Sequence, residues 1–253
     1  MNQTERREYL IKHLLAEYKK NDVTIPKDAY QQELLLRALF NVREPKPIDA
    51  EFKKIQDEYL KEENYKKGIV PASDFEDGMS VWKGDITRLE VDAIVNAANS
   101  GMTGCYLPNH NCIDNAIHTY AGIELRNECN LMMVEQGHPE ETGKAKITKA
   151  YNLPSKFVIH TVGPIVENEV TQKEKDLLEK SYWNCLSLAA SYNLSSIAFP
   201  CISTGVFNFP NKLAAEIAVS TVKKFLAQNT TIKKVIFDVF KEQDEQFYEK
   251  LLN

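Results

Sequence analysis

Two thiols and an imidazole fall within eight residues, Cys105-Tyr106-Leu107-Pro108-Asn109-His110-Asn111-Cys112, and Asp114 follows two positions on. Thiolate sulfur and neutral imidazole nitrogen are donors that suit zinc, and three protein ligands leave a fourth tetrahedral position for water or substrate, as in catalytic sites. A closed structural site would recruit a fourth ligand, and Cys129 and His118 are the nearest candidates in sequence. Both kinds of site stay open at this point. Asp114 sits where a helix should begin. It is either a base for this site or a first-turn carboxylate stabilised by the helix dipole. Two thiolates neutralise the charge of a zinc ion and temper its Lewis acidity, so an added base would be useful.

A framework must hold these residues. At 253 residues and 43% hydrophobic, the chain can build one sizeable core, or a core of roughly 180 residues plus an appendage. A net charge of -5 argues against nucleic acid and anionic membranes as partners, since both ask for a basic face. No apolar segment follows the charged start Met1 to Glu8, and no run approaches the roughly 20 apolar residues of a membrane span. A cytoplasmic protein is the expectation. Five cysteines, an odd number, favour free thiols or metal ligands over a disulfide framework.

Residues 4 to about 66 lack strand-like runs, and apolar spacing predicts helices over Glu5 to Lys19, Pro26 to Phe40 and Ile48 to Tyr65. From about Met79 short β-branched runs alternate with helical stretches, the pattern of a mostly parallel or mixed sheet covered by helices. Strands are expected at Met79 to Trp82, Ala93 to Ala97, Lys144 to Lys149, Phe157 to Val162, Ser196 to Ile202 and Lys234 to Val239. Helices are expected at Ile113 to Ala121, Glu124 to Glu135, Gln172 to Tyr192, Asn211 to Ala227 and Gln243 to Leu252.

Several segments lie at strand ends, where open α/β sheets put their ligands. Ser203-Thr204-Gly205-Val206-Phe207 joins an apolar strand to a helix, so its backbone amides and the helix end can cradle phosphates without lysine or arginine. Phe207 either covers a sugar or packs inward. Asn96 and Asn99 close a buried strand; Asn99 is the candidate for direct contact, while Asn96 either touches ligand or satisfies local backbone. Asp85, in Gly84-Asp85-Ile86-Thr87, can accept a hydrogen bond from an exocyclic amine or cap a turn. His160 reads as a hydrogen-bonded core histidine, and Cys129, Cys185 and Cys201 read as core thiols.

Gly84-Asp85-Ile86-Thr87 followed by Asp92-Ala93-Ile94-Val95-Asn96-Ala97-Ala98-Asn99 resembles the opening of a macrodomain, an ADP-ribose-binding α/β fold of three layers, α/β/α, with a mixed central sheet. The resemblance continues through Ile113 to His118, His160-Thr161-Val162-Gly163-Pro164 and Pro200 to Phe207, and covers roughly residues 71 to 240. The chain then divides into a helical N-terminal extension, 1–70, and a macrodomain, 71–253. Many macrodomains carry a glycine run where this chain has Cys105 to Cys112. In that substitution, and in its helical extension, it is similar to the zinc-containing subclass of bacterial macrodomain hydrolases. Mechanisms that rely on glycine amides do not transfer across that departure.

The resemblance implies a zinc-dependent hydrolase that removes mono-ADP-ribose from modified proteins, most simply from a carboxylate ester, by cleavage at the anomeric carbon of the distal ribose. It gives Asp85 and the Ile86 backbone the adenine, Ser203 to Phe207 the diphosphate and Asn99 the distal ribose. It makes Cys105, His110 and Cys112 the zinc ligands and aligns Asp114 with an aspartate connected with water activation. A lipoyl-carrier protein and a sirtuin-type ADP-ribosyltransferase are the partners it implies. The alternatives are a reader that binds ADP-ribose without turnover, and a deacetylase of O-acetyl-ADP-ribose. The open-site metal separates the hydrolase from the reader.

Overall fold

The computed structural model describes residues 1–20 and 23–253. Three helices open the chain, each started by a side chain that satisfies free N–H groups of the first turn. Asn2 and Glu5 form a capping box on α1 (Gln3–Glu17), and Asp28 and Asp49 cap α2 (Ala29–Val42) and α3 (Ala50–Lys66). The second helix starts three residues after the Pro26 expected from sequence. Asp28 takes the Gln31 N–H as its cap, and the Pro26 carbonyl, left outside the helix, accepts from the Gln32 side chain at 2.7 Å. Leu10, Ile11, Leu14, Leu36, Phe52 and Leu60 form a core of their own, which Ile123 of the following unit enters.

The body then runs β1 (Val70–Pro71), β2 (Gly78–Lys83), β3 (Leu89–Glu90), β4 (Ala93–Ala97), α4 (Ile113–Ala121), α5 (Ile123–Gln136), β5 (Ala145–Lys149), β6 (Phe157–Thr161), α6 (Gln172–Ser191), β7 (Ser196–Phe199), α7 (Asn211–Leu226), β8 (Lys234–Val239) and α8 (Glu242–Leu252). The sheet has the order β2-β8-β7-β4-β6-β5, parallel except where β5 pairs antiparallel with β6; β1 and β3 form a separate two-residue ladder. No helix among the described residues is long and apolar enough to cross a membrane.

Alternation along the strands builds the layers. Val95, Ile159, Phe199 and Phe237 face a core shared with Tyr182, Leu186, Val219 and Phe225 of α6 and α7. Their neighbours Ile94, Val158, Ala198 and Ile236 face the opposite core with Ile117 and Leu125 of α4 and α5. Asn96, two residues after Ile94, therefore points toward α4. Strand β7 stops at Phe199 rather than reaching Ile202, because Pro200 has no N–H for the ladder.

At the edge opposite the site, Asp92 ties three strands together. Its carboxylate accepts from the Ser195 N–H (2.7 Å), the Ser195 hydroxyl (2.8 Å), the Ser196 N–H (3.1 Å) and Lys156 Nζ (2.7 Å). Burial pushes this carboxyl up, but the Lys156, Ser195 and Ser196 bonds outweigh that and hold it down at about 2. A depressed carboxyl stabilises the fold fully above its unfolded value near ~4 and loses that contribution as pH falls toward its folded value. Asp92→Ala is expected to cost about 2 kcal/mol at neutral pH, with allowance for solvent screening at this rim. Urea denaturation of both proteins at pH 7 and pH 3 checks this, since the gap should narrow at the lower pH.

Candidate active site

The C-terminal ends of the five parallel strands lie on one edge of the sheet, and Asp85, Asn99, the Cys105-to-Cys112 loop and Ser203 to Phe207 follow those ends in the chain, with Asp114 in the first turn of α4, while Cys129 and Cys185 sit buried in α5 and α6. Asn96 has no exposed surface. Its Nδ2 donates to Asp114 Oδ1 at 2.8 Å and to His160 Nδ1 at 3.2 Å. Because Asn96 donates to Nδ1, the proton of a neutral His160 ring sits on Nε2, which meets Thr148 Oγ1 at 2.9 Å. Burial pushes His160 down to about 3, consistent with a neutral ring. Thr148, His160 and Asn96 thus form a buried chain ending on the Asp114 carboxylate. Asn96, its surface wholly covered, spends its Nδ2 on the Asp114 carboxylate and on His160.

Asp114 lies in the first turn of α4 and is 5% exposed. Asn99 Nδ2 approaches its other oxygen at 3.3 Å. Burial pushes the carboxyl up to about 6 against the opposing pull of Asn96, Arg126 and Asn99. His118 Nε2 lies 3.6 Å from Asp114 Oδ1, but burial holds His118 well below its ordinary value, so the ring is neutral and this is no ion pair. Gly104, at φ +85°, makes room for that ring; a Cβ there would come within 2.7 Å of it.

Cys105, His110 and Cys112 bring one ligand atom each within 4.8 Å of the others. Cys105 Sγ and His110 Nδ1 are 3.6 Å apart. Zinc bonds of ~2.3 Å to sulfur and ~2.0 Å to nitrogen at a tetrahedral angle span about 3.5 Å, so the donor set and its spacing both fit that ion. Cys112 also caps α4, its sulfur accepting from the Asn115 N–H at 3.4 Å, and burial pushes its thiol up to about 12. The two candidates for a fourth ligand go elsewhere: His118 and Cys129 cluster with His160 in a separate buried group. Among the described residues, no fourth histidine, cysteine or carboxylate atom joins the trio.

The loop after β7 bends through Ser203 (φ +66°) and Asn208 (φ +57°). The Thr204 hydroxyl turns back to the Cys201 carbonyl at 2.9 Å. Gly205 and Val206 stand out into solvent, Val206 at 74%. Among the described residues the N–H groups of Gly205, Val206 and Phe207 have no acceptor, a row of donors suited to an anion. Phe207 is half-buried, and its carbonyl accepts from the Val166 N–H at 2.9 Å. Ser203 is buried with its Oγ unpartnered, and Gly163 packs so closely that a Cβ there would meet that oxygen at 2.1 Å.

At the far end Asp85 caps the short 3-10 turn Ile86–Arg88, accepting from the Thr87 N–H (3.0 Å) and hydroxyl (2.6 Å). Its second oxygen pairs with Lys67 Nζ at 2.9 Å. Burial raises this carboxyl, but Lys67 and Thr87 together hold it below the ordinary carboxylate range. The side chain of Ile86 is buried, which leaves only its backbone for a ligand. Two residues here escaped the sequence reading. Lys67 comes from the end of α3, and Phe240, 86% exposed, follows β8 beside the Gly84 turn. A large aromatic directly after a buried apolar strand was the available signal for Phe240; nothing local marks Lys67.

Against known proteins, the family described as Macro domain matches residues 95–218. A Treponema medium protein named protein-ADP-ribose hydrolase is 52% identical, with 100% of both chains covered. A Staphylococcus aureus (strain Mu50) protein of the same name is 45% identical over 98% of this chain and 95% of its own. A Trypanosoma brucei macrodomain solved with ADP-ribose superposes at TM-score 0.67, with 28% identity over 85% of this chain and 95% of that one. An Oceanobacillus iheyensis macrodomain solved with ADP gives TM-score 0.63 and 40% identity over 68% and 88%.

Proposed function

The chain belongs to the macrodomain family, and from that premise we propose that it is a protein-ADP-ribose hydrolase that frees mono-ADP-ribose by cleavage at the anomeric carbon of the distal ribose. Relatives of that name match over 100% and 98% of this chain. The observation that carries the catalytic part is Asp114, almost wholly buried, held by Asn96 and Asn99 at the end of β4 and set beside the Cys105-His110-Cys112 trio.

The substrate lies along the strand ends. Adenine stacks on Phe240 and gives its exocyclic amine to Asp85, the diphosphate takes the N–H groups of Gly205 to Phe207, and the distal ribose meets Asn99. Asp85, ionised by Lys67, accepts and cannot donate, so it favours an amine over a carbonyl at that ring position. Asp85→Ala is therefore expected to weaken ADP-ribose binding about 10-fold to 100-fold and to erase preference over the hypoxanthine analogue. Titration calorimetry with both ligands reads this.

At the distal ribose the Asp114 carboxylate is placed to take the proton of the attacking water, with Asn96 and Asn99 fixing its two oxygens. Cleavage there builds oxocarbenium character on the sugar, which a nearby carboxylate favours. Cys105, His110 and Cys112 would hold zinc, which when bound supplies Lewis-acid polarisation at this end of the pocket. The linkage proposed is a carboxylate ester. Incubation with a mono-ADP-ribosylated carrier protein tests the function. Multiple-turnover release of ADP-ribose is expected; binding without release would make the chain a reader, and hydrolysis of O-acetyl-ADP-ribose to acetate and ADP-ribose, with the carrier protein left modified, would make it a deacetylase.

A further inference from the structure

The trio sits on a stretch, residues 100–112, without regular secondary structure, and its ligands are spread over eight residues. Within it the only backbone bond across the trio runs from the His110 N–H to the Leu107 carbonyl at 3.3 Å. The remaining hold comes from outside, chiefly from α2. Arg37 donates through Nη2 to the His110 carbonyl at 3.0 Å, and through Nη2 and Nε to Asn115 Oδ1 at 2.9 and 3.2 Å. Asn115, fully buried, passes that grip on, donating from Nδ2 to the Leu107 carbonyl at 3.0 Å and from its N–H to the Cys112 sulfur at 3.4 Å.

Asn41, one turn along α2 and 1% exposed, accepts the Asn109 N–H at 2.9 Å and donates to Thr119 Oγ1 at 3.0 Å. Asn109 is held there at φ +54°, a left-handed conformation the loop must keep to present His110. Arg126 closes the other side. It donates to the carbonyls of Phe40, Asn41 and Arg43 at the end of α2 and to the Thr103 carbonyl at 2.7 Å, and it stacks 4.2 Å from the Tyr106 ring. A guanidinium on free terminal carbonyls is where a helix end most favours a cation.

We propose that α2 of the N-terminal extension is the clamp that keeps the metal loop in ligating geometry, with Arg37 and Asn41 as its positioning residues. This rests on the metal reading of Cys105, His110 and Cys112. The clamp orders the three ligands before the ion arrives, so its loss appears as weaker metal affinity, whereas the pocket for the nucleotide is left in place. Outer-shell partners of metal ligands typically contribute about 10-fold to 100-fold in affinity.

The test is zinc affinity by chelator competition on the full chain, paired with hydrogen exchange of residues 104–112 in the metal-free proteins. Arg37→Met and Asn41→Ala are each expected to weaken zinc binding by about 10-fold to 100-fold and to speed exchange in the loop. Arg6→Met removes ion pairs to Glu58 and Glu62 within the extension without touching the loop, and it should bind zinc as the parent does. Parent-like affinity and exchange in both clamp variants would overturn the proposal alone. So would an Arg6→Met loss equal to that of Arg37→Met, which would make the effect one of general stability. A parent chain that takes up no zinc, or a Cys105→Ala variant that binds it as the parent does, would sink the metal reading and the clamp with it.

Discussion

Asp114→Ala is expected to lower turnover by about 10³-fold while ADP-ribose binds within a few-fold of the parent affinity. Positioned general bases contribute about 10²-fold to 10⁴-fold, and nothing else near the trio can replace this one: His118 is neutral and buried, and His160 spends both nitrogens on Asn96 and Thr148. Binding should survive because the adenine and diphosphate contacts lie on other strand ends. Asp114→Asn is the sharper variant. It keeps the shape but offers an amide, which cannot take a proton, so it should be nearly as inactive. Alanine also strands the donors of Asn96 and Asn99, so a loss of about 1–3 kcal/mol in stability accompanies it. Single-turnover release and calorimetric titration on both variants separate chemistry from binding. Turnover within about 10-fold of the parent in Asp114→Asn, far inside the range for a lost base, would remove the assignment.

On the zinc reading of the trio, treating the protein with a chelator, or changing Cys105 or His110 to alanine, is expected to cost turnover by about 10²-fold or more, because Lewis-acid stabilisation is worth several kcal/mol and about 1.4 kcal/mol is tenfold in rate. Added zinc should restore the chelated parent and fail to restore the variants. Metal content measured beside turnover makes the comparison decisive. Full activity in metal-free protein would make the trio a structural feature, or no metal site.

How much of this was legible in the sequence depends on how local each feature is. Cys105, His110 and Cys112 meet because they share one short loop, and spacing alone conveys that. The strand and helix pattern is equally local, and the structure follows it with boundary shifts set by particular residues, such as Asp28 capping α2 and Pro200 ending β7. The two-residue strands β1 and β3 are too short to carry a periodic signal.

The site's support is non-local, and there the sequence is silent. Asn96, His160 and Thr148 come from three adjacent strands, 64 residues separating the first two. Asp85 pairs with Lys67, and the loop from Cys105 to Cys112 is held by Arg37, 73 residues before His110. From sequence the extension reads only as three helices. In the fold it has its own core and sends Lys67 to one end of the pocket and Arg37 and Asn41 to the other.

The most direct test of cleavage at the anomeric carbon is hydrolysis in oxygen-18 water of a carrier protein bearing ADP-ribose on a glutamate carboxylate, with the released glutamate read by mass spectrometry. Attack on the sugar leaves both glutamate oxygens unlabelled and carries the label away on the ribose, and that is the expected result. One heavy oxygen in the glutamate side chain would show attack at the acyl carbon and contradict the mechanism built on Asp114 and the distal ribose.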